Sequence, residues 1–120
     1  MSNLNVKSLT FSIDKKNILS DIDLTVNKGE IIGVVGPSGS GKTSLLKVIS
    51  GISEVTSGQV FLNNIKLNNY SKDKLSKCIS YFSQETEINW PLTVIKTIAL
   101  GFIPLKNNGT VLSKEEKNYI

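Results

Sequence analysis

The sequence predicts an α/β fold in which an N-terminal antiparallel β-subdomain leads into a strand–loop–helix unit. Three observations carry this. Apolar residues alternate through the first 26 positions, residues 31–35 form a continuous apolar run, and a glycine-rich loop at 36–43 precedes apolar residues at helical spacing. Residues 4–13 place Leu9, Phe11 and Ile13 on one face, as a half-buried strand does. Asp14-Lys15-Lys16-Asn17 is a polar turn, and residues 18–26 alternate again through Ile22, Leu24 and Val26, so this opening reads as an antiparallel hairpin. Asn27-Lys28-Gly29-Glu30 turns the chain into Ile31-Ile32-Gly33-Val34-Val35, a run of the kind buried on both faces of a parallel sheet.

Beyond the loop, Leu45, Leu46, Val48 and Ile49 have helical spacing, and Gly51 is expected to end that helix. Gly58 opens a strand at 59–62, which Asn63-Asn64 joins to residues 65–67 as a small hairpin. Ser71 is expected to cap a short helix through Lys77. Residues 79–83 read as a further strand ending at Gln84, and Thr93 as the cap of a helix at 94–100 closed by Gly101. Ser113-Lys114-Glu115-Glu116 fits the S-x-x-E capping box. The helix it opens has room for barely two turns before Ile120, so the chain is expected to be truncated.

A length of 120 residues, with 39% hydrophobic and 20% charged, suits one small soluble domain. No apolar stretch is long enough to span a bilayer, and the N-terminus lacks the layout of a secretion signal, so a cytosolic protein is expected. The single Cys78 agrees, having no intramolecular disulfide partner. The net charge of +4 comes from scattered lysines with no Arg and no His. Nucleic-acid readers lean on clustered Arg and aromatic residues, so the lysines read as a solvated surface and no direct nucleic-acid partner is expected. The absence of His also removes the commonest general base and zinc ligand.

Gly36-Pro37-Ser38-Gly39-Ser40-Gly41-Lys42-Thr43 matches G-x-x-x-x-G-K-[ST] at every fixed position. Glycines allow close backbone approach, so that successive N–H groups form an anion nest continued by the N-terminus of the following helix. Lys42 is placed to reach the β- and γ-phosphates of a nucleoside triphosphate, Thr43 to ligate Mg²⁺, and Ser44 to add a donor near the α-phosphate. The alternative, an ordinary glycine-rich turn, is disfavoured by the apolar strand that enters the loop and the apolar-periodic helix that leaves it. The predicted ligand is ATP with Mg²⁺. A guanine-specific protein needs N-K-x-D downstream, whereas Asn27-Lys28-Gly29-Glu30 lies upstream and ends in Glu. Small kinases place the loop close to the N-terminus, but here β-structure precedes it.

From about Leu4 onward the sequence resembles the nucleotide-binding subunit of ATP-binding cassette (ABC) transporters. The residues that carry this are Ile22-Asp23-Leu24-Thr25-Val26-Asn27-Lys28-Gly29-Glu30, the phosphate loop continuing through Ser44-Leu45-Leu46-Lys47, Ile49-Ser50-Gly51, and Ser57-Gly58-Gln59-Val60. The resemblance implies a P-loop NTPase (RecA-like) core with an N-terminal antiparallel β-subdomain, truncated before the helical subdomain is complete. Residues 1–120 would then be a single, partial ATP-binding domain. It further implies that Gln84 is the Q-loop glutamine, contacting Mg²⁺ and the attacking water and linking the site to the membrane subunit. Where the family has an adenine-stacking aromatic, the matching position is Ile13, which implies an aliphatic contact; Phe11 is expected to pack in the core. The family's signature sequence, Asp-Glu strand and switch histidine have no counterpart here. These residues are therefore expected to bind nucleotide but to hydrolyse it poorly or not at all alone.

The implied partners are a transmembrane permease, a second copy of the ATPase subunit, and indirectly a substrate-binding protein, on the inner face of the cell membrane. Residues 88–104, with Trp90, Pro91, Thr93 and Pro104, together with Leu112 to Glu116, look like importers of iron–siderophore, haem or cobalamin. Asn89-Trp90-Pro91 is also similar to manganese and zinc importers, although those families have Arg where this sequence has Phe102. Uptake of a metal or metal chelate is the resulting expectation. The alternatives are a cassette ATPase acting on nucleic acid or ribosomes, and a fragment that only binds nucleotide.

Overall fold

A computed structural model describes residues 3–84 and 91–105, in two compact units divided after Leu75. The first unit is built on a four-stranded antiparallel sheet of order β2-β1-β3-β4. Its strands are β1 (Leu4–Ile13), β2 (Lys16–Val26), β3 (Ser57–Leu62) and β4 (Ile65–Lys66). Helix α1 (Lys42–Ile49) packs on the sheet, and a 3₁₀ turn (Leu67–Asn69) follows β4. Helix α2 (Lys72–Cys78) runs across the division between the units.

Both expected hairpins form. Asp14 and Lys15 (φ 48° and 65°) make the first two-residue turn, and Asn63 and Asn64 (φ 52° and 64°) the second. These left-handed values are those of a type I′ turn, whose twist matches the flanking strands. The alternation in β1, however, is not simple. Val6 and Leu9 are both buried, Leu9 completely, although three residues apart. Ser8 (φ 45°) is an inserted residue relative to both neighbouring strands, and this bulge restores Leu9 to the face that Val6 occupies. The Asp23 carboxylate accepts the Ser8 N–H at 2.9 Å, satisfying a donor the ladder leaves out. Leu19, Val60, Leu62 and Leu67 complete the buried sheet side, and α1 contributes Leu45 and Val48. Phe11 is only half-buried.

Helix α1 ends as expected. Gly51 N donates to the Val48 carbonyl (3.0 Å) and Ile52 N to the Lys47 carbonyl (2.9 Å), the paired bonds of a Schellman motif. Helix α2 starts at Ser71, whose hydroxyl accepts the Lys74 N–H at 3.3 Å. In the second unit α3 (Val94–Ala99) is capped by Thr93, which accepts the Lys96 N–H at 3.3 Å. Gly101 does not close it. The chain runs on into a 3₁₀ stretch (Leu100–Leu105), the tighter winding common at helix ends.

Two expected strands differ. Residues 31–35 join no sheet, and Ile31 and Val35 are 99% and 93% exposed rather than buried. A run of this kind is covered only when parallel strands flank it on both sides. Among the described residues the sheet consists of β1–β4 alone. Residues 79–83 likewise belong to no strand. The Ser113 capping box and residues 88–90 lie outside the described residues.

The turn before residues 31–35 is held by its own side chains. Asn27 N donates to Glu30 Oε2 at 2.6 Å, Asn27 Nδ2 to Oε1 at 3.1 Å, and Glu30 N returns to the Asn27 carbonyl at 3.1 Å. The backbone bond from Asn27, and then its side-chain bond, hold the Glu30 carboxyl below its ordinary value of 4.5. A depressed carboxyl stabilises the fold above pH 4.5 and loses that contribution as the pH falls through its folded value. Glu30→Gln should therefore lower the unfolding midpoint at pH 6, and the difference from wild type should shrink as the pH falls below 4.5. Thermal melts of both proteins across that range check this.

Candidate functional site

The glycine-rich loop at 36–43 lies between the exposed run and α1. A tight turn opens it, with Ser40 N donating to the Pro37 carbonyl at 3.2 Å. Gly41 then takes φ 90° as the residue before the helix, and no side chain caps α1 there. A Cβ on Gly41 would stand 2.9 Å from Leu19 Cδ2 and 3.1 Å from the Ile18 carbonyl oxygen. Both the left-handed backbone and the closeness of β2 require glycine at this point. The contact also ties the loop to the first hairpin. At Gly36 an added Cβ would meet Ser40 Oγ at 2.9 Å, so the two sides of the loop close on each other there.

Lys42 opens α1 but its side chain turns back over the loop. Its ammonium donates to the Gly36 and Pro37 carbonyls at 2.8 and 2.7 Å and lies 3.5 Å from Ser40 Oγ. A fixed cation thus stands beside the first turn of a helix, whose leading N–H groups have no intrahelical acceptor. Cation and helix N-terminus favour negative charge together, and the arrangement is suited to an oxyanion with several acceptor oxygens, such as a phosphate chain. Leu45 N closes the first helical bond on the Gly41 carbonyl at 2.8 Å, and buried Leu45 and Val48 fix the helix on the sheet. The Thr43 side chain is exposed, and that of Ser44 partly so.

The structure therefore brings Gly36 through Ser44 together as one feature. Ile13 lies at the tip of the first hairpin, 50% exposed and opposite Lys16. Gln84 belongs to the second unit, where it is exposed and in neither helix nor strand. The Gly41–Ile18 approach, which sequence reading missed, couples loop and hairpin. The lone cue to it was a glycine at a fixed motif position.

Comparison with known proteins narrows what this site belongs to. A family model described as ABC transporter matches residues 19–118. The chain is 30% identical over 102 residues to the hemin import ATP-binding protein HmuV of Shewanella denitrificans, covering 85% of this chain and 40% of that protein. It is 36% identical over 117 residues to the zinc import ATP-binding protein ZnuC of Wolbachia sp. subsp. Brugia malayi, covering 87% and 47%. An exporter is similar too: the microcin-J25 export ATP-binding/permease protein McjD of Escherichia coli, 40% identical over 87 residues, covering 72% and 15%. The chain thus spans less than half the length of these curated relatives. A crystal structure of a nucleotide-free ATP-binding cassette from an ABC transporter superposes with a TM-score of 0.59 at 28% identity, covering 65% of this chain and 31% of that one. The α/β fold with an antiparallel β-subdomain is that of such a cassette. With the family model matching most of its length, this chain belongs to the ABC transporter family.

Proposed function

We propose that the chain supplies the phosphate-binding part of an ABC transporter ATPase subunit, binding ATP with Mg²⁺. The observation that carries this reading is the convergence of the Lys42 ammonium, the left-handed Gly41 and the start of α1 on one loop. In it, the loop from Gly36 to Gly41 and the first N–H groups of α1 wrap the phosphates, and Ser44 adds a donor. Lys42 neutralises the β- and γ-phosphates, Thr43 ligates Mg²⁺, and Ile13 meets the base through an aliphatic contact. Gln84 is assigned to Mg²⁺ and the attacking water. Hydrolysis is a property of the complete subunit, acting as a pair on the cytoplasmic face of a permease, with a substrate-binding protein as an indirect partner. Among the described residues no helix is long and apolar enough to cross a membrane, which fits a peripheral subunit. The hemin and zinc import relatives support a metal or metal chelate as cargo, and the export relative makes the direction of transport the first thing to measure.

Equilibrium binding of a fluorescent ATP analogue with and without Mg²⁺ tests this reading. Mg²⁺ should tighten binding to the wild type by about tenfold, the scale of one charge-assisted contact, and should do little for Thr43→Val. A wild-type chain that binds no nucleotide in either condition sinks the proposal.

A further inference from the structure

Between the end of α1, the start of β3 and the chain that links β4 to α2 lies a cavity of about 420 Å³, wholly within the first unit. It shares no residue with the phosphate loop. Its floor is apolar and buried, formed by Val48 of α1, Val60 of β3 and Leu67 of the 3₁₀ turn. One wall is Tyr70, which is held at both ends. Its N–H donates to the Leu67 carbonyl at 3.1 Å and its hydroxyl to the Leu62 carbonyl at 2.9 Å. A second wall is Leu75, whose Cδ2 lies 2.7 Å from where a Cβ on Gly51 would stand, so glycine there lets Leu75 approach the end of α1. The third side is pinned by Ile52 N and Ser53 N, which donate to the Lys47 carbonyl at 2.9 and 3.2 Å. The cavity is therefore shaped by bonds of the fold itself and needs no ligand to form it. Its charged lining groups are Lys66, Lys72 and Glu54, all exposed and none in an ion pair among the described residues.

We propose that this cavity is a second ligand site, which takes a small organic anion with an apolar body, such as an aromatic carboxylate or sulfonate. The buried floor rewards an apolar body, and two ammonium groups against one carboxylate give an anionic head a charge-assisted contact. A metal ion does not fit. Glu54 is the lone carboxylate of the lining, and no cluster of acidic, His and Cys residues able to hold a metal occurs among the described residues. Inorganic phosphate would leave the floor empty. A helix end favours cations, but here the Leu46, Lys47 and Val48 carbonyls of α1 are taken up by N–H groups of residues 50–53. The two lysines therefore set the sign of the ligand.

Two probes of like shape test this on the isotope-labelled chain, with methyl NMR shifts as the readout. They are 8-anilino-1-naphthalenesulfonate and its uncharged parent, N-phenyl-1-naphthylamine. The anion should shift the Val48, Val60 and Leu67 methyls in a saturable titration, and ATP should not displace it. Lys66→Gln combined with Lys72→Gln should weaken the anion by about tenfold and leave the neutral probe within about twofold of wild type. Both lysines are exposed, so a thermal melt should show the variant as stable as the wild type. Equal weakening of both probes would mean that the lysines do not read charge, and would overturn the proposal. So would shifts confined to the exposed apolar run at 31–35, displacement by ATP, or no saturable binding. A chain that bound no ATP would remove the phosphate-loop reading and leave this one standing.

Discussion

Lys42→Ala should reduce ATP affinity by about a hundredfold, or about 3 kcal/mol, while leaving the unfolding midpoint almost unchanged. The two halves of this expectation have separate causes. A lysine facing phosphate makes a charge-assisted contact, and its removal also exposes the nest to unscreened phosphate charge. The bonds of the ammonium to the Gly36 and Pro37 carbonyls are different in kind. Those acceptors lie on exposed residues, so water replaces the amine when it is removed. Calorimetric titration with ATP and a thermal melt on the same samples check both. A fall in stability matching the loss of binding would make Lys42 a strut of the loop rather than a phosphate ligand. Lys42→Arg should not rescue, because a planar guanidinium does not fit where a compact ammonium meets two carbonyls and Ser40 Oγ.

Gly58→Ala should cost about 3 kcal/mol of stability, the largest expected effect away from the loop. Gly58 has φ 87° in β3, a conformation that L side chains rarely adopt. It also lies directly beneath the bulge at Ser8. A Cβ there would be 2.7 Å from the Lys7 carbonyl oxygen and 2.6 Å from the Ser8 carbonyl carbon, and would overlap the Ser8 carbonyl oxygen. Backbone cannot rotate aside as a side-chain end can. Either β3 separates from β1 or the bulge is lost, and a lost bulge turns Leu9 out of the core. Chemical denaturation of Gly58→Ala against wild type measures the loss. A change below about 0.5 kcal/mol would mean that the β1–β3 pairing tolerates a side chain here. Gly58 packs on Lys7 and Ser8 and not on the residues that close on Gly36 and Gly41, so ATP affinity measured below the melting range should stay near the wild-type value.

Local chemistry accounts for what was legible in the sequence. The two-residue turns, the Ser71 and Thr93 caps, the Gly51 terminator and the helix after the loop are all written within a few residues of where they act. Backbone sterics and short-range hydrogen bonds decide such features, and distant parts of the chain seldom override them. The glycine-rich loop is legible for the same reason, since its turn and the Lys42 bonds lie within eight consecutive residues, whereas its approach to β2 does not. Bulges are harder. Ser8 is an ordinary strand residue by type, and only its burial partners on both sides reveal that an extra residue is needed to bring Val6 and Leu9 to one face.

The sequence by itself determined the antiparallel opening, the glycine-rich loop before α1 and the family, because each rests on local periodicity or on a contiguous motif. Tertiary structure alone decided four things that depend on residues far apart in the chain. It put β1 at the centre of the sheet, between β2 and β3. It set Gly58 against the Ser8 bulge, and it seated Ile18 and Leu19 on Gly41, which fixes the hairpin tip beside the loop. It also decided where the apolar run at 31–35 stands, exposed rather than flanked, since burial is a property of neighbouring strands and not of the run itself.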